Sequence, residues 1–300
     1  MSMSEKGYLY YPGCAAKGTA RQYEESLLSV FPELGLELVE LEDWNCCGSS
    51  LYSGIDKVGA LALAARNLAL AERAHPGKDL VAPCSACYLS FIKAKDYLER
   101  YPDLRAGVDR ALGAIGLEYR GRARVRHPLE VVLTDLVARH GLEELTRRVK
   151  RPLVGLVAAP YYGCQTTRPY ARFDHPFFPE SLDGLLEALG AEVVDYPLKT
   201  RCCGSSITAM VEGAGLGLVS ALLREAQKRG ANAIVTVCPL CQFNLDCYQD
   251  KIIKRYKLAA PIPVLYFTQI LGLALGLSPR ELGFARAVVS AEPLLAGIGG

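Results

Sequence analysis

Residues 44–50 read WNCCGSS and residues 200–206 read TRCCGSS, two copies of an adjacent cysteine pair with the same Gly-Ser-Ser behind it. The copies belong to a larger pattern. Cysteines stand at 14, 46, 47, 84 and 87, and again at 164, 202, 203, 238 and 241. Each set runs from a single Cys to Cys-Cys-Gly to Cys-x-x-Cys. Matching positions are offset by 150, 156 and 154 residues. The flanks repeat as well: GYLYYPGC matches LVAAPYYGC, and KDLVAPCSAC matches NAIVTVCPLC. The 300-residue chain is therefore an internal duplication with a period of about half its length, and its repeats are assigned to 1–150 and 151–300.

The flanks predict where the cysteines sit. Leu36–Leu41, Lys78–Ala82, Ala191–Pro197 and Ala233–Val237 are short aliphatic runs that read as buried strands. Arg21–Gly35, Asp56–His75, Leu182–Gly190 and Gly215–Gly230 read as helices, with Gly35, Gly190 and Gly230 as C-terminal stops. Alternation of strand and helix predicts an α/β protein of two pseudo-symmetric, Rossmann-like repeats. Each is a small parallel sheet flanked by helices, with the cysteines at the carboxyl ends of its strands. Those ends share one rim, where α/β proteins build their sites. Five cysteines per repeat can therefore converge.

Composition narrows the chemistry. Lys and Arg number 34 against 32 Asp and Glu, which gives no footprint for nucleic acid. The local basic run Arg120–His127 reads as a solvated surface or a docking patch for an acidic partner. MSMSEKGYLYYPGC lacks the form of a secretory signal. Ile262–Leu277 is interrupted by Thr268 and Gln269 and falls short of the roughly 20 apolar residues of a membrane span. It reads as a strand followed by a buried helix. The expected location is cytoplasmic, or peripheral to a membrane through a partner. Eleven cysteines in a reducing compartment point to metal or redox chemistry before a disulfide framework.

A single zinc takes four ligands in a closed tetrahedron. Five thiolates, two of them adjacent in sequence, suit a polynuclear centre better, and soft thiolates favour iron–sulfur clusters. Zinc in one repeat and vicinal-disulfide redox chemistry are the alternatives. Gly48 and Gly204 permit a close turn, and the serines at 49, 50, 205 and 206 suit either helix capping or hydrogen bonds to a cluster.

The duplicated quintet, together with YYGCQTTRP (161–169), FDHPFFPESLDGLLEALGAEVVDYPLKTRCCG (173–204) and PVLYFTQILGLALGLSPRELGF (263–284), resembles the B subunit of heterodisulfide reductase and its relatives. The resemblance implies two noncubane [4Fe–4S] clusters facing each other across a cleft. Cys14, Cys46, Cys47, Cys84 and Cys87 would hold one; Cys164, Cys202, Cys203, Cys238 and Cys241 would hold the other. It leaves zinc as an alternative at the first motif. It further implies a disulfide substrate split between the clusters, each sulfur bonding to iron of one of them, with no side-chain nucleophile. The implied partners are an iron–sulfur subunit (C-like) and a flavin subunit (A-like) on other chains. No G-x-G-x-x-G follows a predicted strand here, which agrees with a nucleotide cofactor lying elsewhere. The alternatives are a cluster-bearing electron-transfer subunit of a succinate or fumarate reductase, and a sulfur-oxidising relative.

Residues outside the quintets read as follows. His175, in a Pro-rich loop, is the candidate proton donor to a leaving thiolate, against a loop histidine bonded to backbone. His127, His75 and His140 read as structural. Arg168 suits an anionic substrate, a negatively charged cluster or plain surface. Trp44 reads as a shield for a cluster or as core, and Cys247 as an ordinary helical cysteine.

Overall fold

The computed structural model describes residues 6–49, 51–137 and 141–298; Ser50 and His140 lie outside the described residues. Strands β1 (Lys6–Tyr10), β2 (Leu36–Glu40), β3 (Leu80–Val81) and β4 (Val125–Arg126) form one parallel sheet in the order β2-β1-β3-β4. Strands β5 (Val157–Tyr161), β6 (Glu192–Val193), β7 (Ala233–Thr236) and β8 (Val264–Tyr266) form a second in the order β6-β5-β7-β8. The two orders are the same, as the repeat requires. Tyr10 pairs with Val81 and Val81 with Arg126, while Tyr161 pairs with Thr236 and Thr236 with Tyr266. The carboxyl ends of each sheet are thus level along one rim.

The predicted helices form with small changes of boundary: Arg21–Glu33, Lys57–Ala74, Ser181–Ala188 and Glu212–Lys228. Asp56 caps Lys57–Ala74 by accepting from the Gly59 amide at 2.8 Å, and His75 is its C-cap. Gly35, Gly190 and Gly230 all follow helix ends with positive φ. Ile262–Leu277 divides into β8 and the buried helix Phe267–Ala274.

The segment between the repeats packs onto the first one, and its Val125–Arg126 supplies the fourth strand of the first sheet. The basic run containing that strand is only partly a solvated face. Arg126 is 0% exposed. Its guanidinium meets Asp79 at 3.0 Å, Glu130 at 2.7 Å and Asp135 at 3.2 Å. A charge taken from water must be paired, and three carboxylates surround this one. After β4 the chain forms a short helix over Pro128–Val131 that widens into a π-type turn over Val132–Val137.

The halves share one core. The helix Arg21–Glu33 packs Leu27, Val30 and Phe31 against Phe267, Ile270 and Leu271 of the second half. Tyr23 stacks on Tyr266 at 4.2 Å between centroids and 9° between planes. Polar contacts fix the register of this interface. Ser26 Oγ lies 2.6 Å from Thr268 Oγ1. The Val237 carbonyl accepts from Tyr23 Oη and from His127 Nε2, both at 3.1 Å. His127 Nδ1 accepts from the Leu129 amide, which sets its tautomer, and burial pushes the imidazole down to about 4. His127 is structural, as its sequence position implied, and it ties the two halves together one residue before Cys238.

Candidate functional site

Every repeated cysteine follows the carboxyl end of a strand. Cys14 and Cys164 follow β1 and β5, the adjacent pairs follow β2 and β6, and Cys84 and Cys238 are the N-caps of the helices after β3 and β7. Two local devices, each present twice, shape the turns. Tyr11 Oη donates to the carbonyl of Asn45 at 2.8 Å, and Tyr161 Oη donates to that of Arg201 at 2.7 Å. Each tyrosine thus tethers the residue just before a Cys-Cys pair to the end of the central strand. Gly13 and Gly163 have φ of +67° and +71°, and a Cβ on them would lie 3.4 Å from Cys87 Sγ and 3.0 Å from Cys241 Sγ. The lack of a side chain brings the backbone beside the last cysteine of each Cys-x-x-Cys. The tyrosines were visible in the sequence as the repeated flank YYPGC/YYGC, but nothing there revealed their role.

The second quintet converges on a cavity of about 90 Å³ lined by all five of its cysteines. Cys203 and Cys241 sulfurs are 3.5 Å apart, and hydrogen bonds join Cys164 to Cys202 and Cys238 to Cys241. In the first quintet hydrogen bonds join Cys46 to Cys47, Cys47 to Cys87, and Cys87 to Cys84. Cys14 lies within electrostatic reach of Cys46 and of Tyr11. The two sets also meet, because Cys84 and Cys238 hydrogen-bond each other across the halves. The pattern of exposure repeats: Cys14, Cys46 and Cys202 are exposed and Cys164 half-buried, while Cys47, Cys84, Cys87, Cys203, Cys238 and Cys241 are buried.

Crowding divides the acidities of the thiols. Hydrogen bonds from Cys46 and Cys87 hold Cys47 below the usual thiol range, and the bond to Cys47 pushes Cys46 up. A hydrogen bond from Cys164, the Gly204 amide and the Arg168 charge hold Cys202 down, while the Cys202 contact and burial push Cys164 up. Each quintet thus has a member ready to ionise.

The donors fit an iron–sulfur cluster. The lining of the 90 Å³ cavity contains five thiols and neither carboxylate nor imidazole, and soft ligands of one kind are what such clusters take. Among the described residues, no group of three or more His, Cys, Asp or Glu is arranged to hold one metal ion.

A larger cavity of about 730 Å³ adjoins this cradle. Ser49, Gln165, Ser205, Ser206 and Leu240 line both, so the cradle opens into a cleft walled by Gly48 and Ser49 of the first half and Ser205 and Ser206 of the second. Lys57, Lys93 and Tyr97 complete the first-half wall, with the ammonium groups 4.9 and 5.2 Å from the Tyr97 ring centre. Gln165 follows a motif cysteine, but no sequence signal marked the lysines. Neither Ser205 nor Ser206 caps a helix: Gly204, without a side-chain cap, starts the short turn Ser205–Thr208, and in the first half Asp56 caps Lys57–Ala74.

Other candidates fall at the periphery. His175 is exposed; its Nδ1 accepts from the amides of Phe177 at 3.2 Å and Phe178 at 2.9 Å. Arg168 donates to the carbonyls of Pro176 and Thr200 and lies over Phe177. Trp44 packs edge-on against Tyr11 and donates to Glu40. Cys247 lines a separate cavity with Asn232 and Pro263, apart from both quintets.

Comparison with known proteins places these features in a family. The cysteine-rich CCG domain matches residues 8–92 and again 158–246. The chain is 34% identical, over 97% of its length and 99% of the relative's, to the 8-methylmenaquinol:fumarate reductase membrane anchor subunit of Wolinella succinogenes. It is 32% identical to the B subunit of the ferredoxin/F(420)H(2)-dependent CoB-CoM heterodisulfide reductase of Methanosarcina acetivorans, over 96% of this chain and 95% of that one. It is 33% identical to a protein of Archaeoglobus profundus described as like the heterodisulfide reductase B subunit, over 92% of each. A crystal structure of a hypothetical protein from Helicobacter pylori superposes with a TM-score of 0.74 at 17% identity, covering 96% of this chain and 53% of that longer one. That likeness is one of fold.

Proposed function

Since the chain belongs to the cysteine-rich CCG domain family and carries that domain twice, we propose that it is the disulfide-handling subunit of a heterodisulfide reductase-type complex. In this reading residues 1–150 and 151–300 are the two cluster-bearing repeats. Cys14, Cys46, Cys47, Cys84 and Cys87 hold one noncubane [4Fe–4S] cluster, and Cys164, Cys202, Cys203, Cys238 and Cys241 hold the other. Zinc at the first motif is the competing occupant. When bound, the clusters supply the electrons and the sulfur-accepting iron for cleaving or forming an S–S bond.

The observation that carries the reading is the cradle lined by five thiols and opening into the cleft. The chain's own part is positional. Tyr11 and Tyr161 hold the Cys-Cys turns, Gly13 and Gly163 let the strands' ends approach the Cys-x-x-Cys turns, and the shared core fixes one half against the other. A proton-donating role for His175 would run through Nε2, because Nδ1 is committed to its own loop. Electrons enter from an iron–sulfur subunit and a flavin subunit on other chains, in the cytoplasm or at the face of a membrane. Among the described residues no helix is long and apolar enough to cross a membrane, so anchoring would fall to a partner.

A second reading follows the fumarate reductase relative, with the clusters passing electrons toward a quinone. The cleft favours the first. Its Ser49, Ser205, Ser206, Lys57 and Lys93 offer a polar or anionic disulfide hydrogen-bond and ion-pair partners, beside an apolar wall of Leu61, Leu89 and Leu240. The test is anaerobically purified protein titrated with thiols and disulfides under electron paramagnetic resonance, alongside reduced-viologen turnover. A new signal on thiol addition and disulfide-dependent oxidation of viologen are expected. Spectra unmoved by any thiol, with electron transfer to a quinone, would overturn the reading.

A further inference from the structure

The internal repeat gives every residue near one quintet a counterpart near the other, and the inference drawn from this rests on the cluster reading above. Cys84 corresponds to Cys238 and Cys14 to Cys164, so by the same offsets Ser85 corresponds to Pro239 and Thr166 to Ala16. The five ligands on each side are of one kind. The side chains next to them are not.

Ser85 Oγ lies 2.6 Å from Thr166 Oγ1, and each residue is 1% exposed. The pair joins the Cys-x-x-Cys turn of the first half to the first-cysteine loop of the second. Ser85 also lines the second quintet's cradle beside Cys238, a cysteine of the opposite half. Thr166 Oγ1 in turn lies 2.9 Å from the Tyr162 carbonyl. Pro239 and Ala16, the counterparts, have no hydroxyl to offer Cys84. A second difference points the same way. The Arg168 guanidinium, held by the Pro176 and Thr200 carbonyls, acts electrostatically on Cys202, whereas its counterpart four residues after Cys14 is Gly18. Lys17, the nearest cation in the first half's loop, is engaged with Glu24 and Glu40 at 2.7 Å each.

Two hydroxyl protons serve three acceptors in the buried pair: the Tyr162 carbonyl, the other hydroxyl and the Cys238 sulfur. When the sulfur makes no demand, Thr166 donates to Tyr162 and Ser85 donates to Thr166. When the sulfur carries negative charge, Ser85 turns its proton to it and accepts from Thr166. The chain of hydroxyls therefore responds to electron density on that sulfur. Hydrogen bonds to ligand sulfur and a nearby cation both stabilise the reduced, more negative state of a cluster and raise its potential, the more so in a dry interior.

We propose that Ser85, backed by Thr166, is a tuning residue that acts across the halves and sets the second site at a higher reduction potential than the first. An electron entering the pair then settles first beside Cys238. The two sites are inequivalent despite identical ligands, and the inequivalence is written in residues of the opposite repeat.

The test is potentiometry followed by electron paramagnetic resonance on the full chain, with iron and acid-labile sulfide measured in every sample. The unsubstituted protein should show two separated transitions. Ser85→Ala should lower the higher one by at least tenfold in its one-electron equilibrium, about 59 mV, and leave the lower one in place. Thr166→Val, which leaves the Ser85–Cys238 contact itself intact, should move the same transition in the same direction by less. Pro239→Ser, which supplies the missing hydroxyl, should raise the lower transition. If Ser85→Ala loses iron, Thr166→Val and Pro239→Ser decide the matter. Intact clusters whose potentials stay put, or shift together, overturn this inference alone; absence of iron from all samples overturns the cluster reading and this inference with it.

Discussion

The glycine after each Cys-Cys pair gives the sharpest energetic prediction, because its two copies sit in different surroundings. Gly48 has φ of +74° and Gly204 has φ of +82°. A left-handed backbone costs an L-residue about 1–2 kcal/mol, offset by about 0.4–1 kcal/mol because alanine restricts the unfolded chain. Space then separates the two. A Cβ on Gly48 would lie 2.7 Å from the Ala60 carbonyl oxygen, which is helix backbone and must be displaced as a unit. A Cβ on Gly204 would meet Leu218 Cδ1 at 3.1 Å, a leucine end that can move aside, and the Gly215 backbone at 3.2 Å, which must yield slightly and adds a small cost. Overpacking of the first kind costs about 1–3 kcal/mol. Gly48→Ala should therefore lose about 2–4 kcal/mol and Gly204→Ala about 1–2 kcal/mol. Urea unfolding of the two variants beside the parent measures both, with the m-value checked for constancy. Gly48→Ala should also shift the Cys46–Cys47 turn and lower metal retention. Equal losses, or a larger loss at Gly204, would refute the steric reasoning.

Four further outcomes follow. Arg126→Met should cost about 3–5 kcal/mol in urea unfolding, since it leaves buried Glu130 and half-buried Asp79 and Asp135 around an absent cation. Tyr11→Phe and Tyr161→Phe should each lose about 1 kcal/mol by the same assay, and each should loosen its own Cys-Cys turn, seen as faster alkylation of Cys46 or Cys202. Burial lowers the His127 imidazole from 6.5 to about 4, so the unfolded chain binds its proton first as pH falls. That contribution is intact above pH 6.5, disappears by about pH 4 and amounts to about 3 kcal/mol; His127→Gln should flatten the slope of stability against pH in that window. Asp56→Ala should cost about 1 kcal/mol through loss of the Gly59 cap, measured by thermal unfolding.

The parts of this molecule legible from its sequence are those governed by chain-local rules. The duplicated quintet, the aliphatic strands before it and the glycine-stopped helices all follow from spacing and composition, and Asp56 and His75 are the caps that bound Lys57–Ala74. The parts that were hidden depend on contacts between distant residues. Val125–Arg126 is too short to stand out as a strand, and it lies in a run of arginines whose exposed members disguise the buried one. The stack of Tyr23 on Tyr266 joins residues more than 240 apart. Lys57 and Lys93 belong to ordinary amphipathic helices and reach the cleft only through the way the halves pack. Ser205 and Ser206 invited a capping role, yet they stand inside the short turn that Gly204 starts, and in the first half Asp56 caps Lys57–Ala74.

The central claim is that each quintet holds a four-iron cluster. Iron and acid-labile sulfide per chain, measured on protein purified without oxygen, test it most directly. The account predicts about eight of each, falling to about four when Cys202 and Cys203 are both replaced by serine. Zinc in place of iron at both quintets, with no labile sulfide, would contradict it.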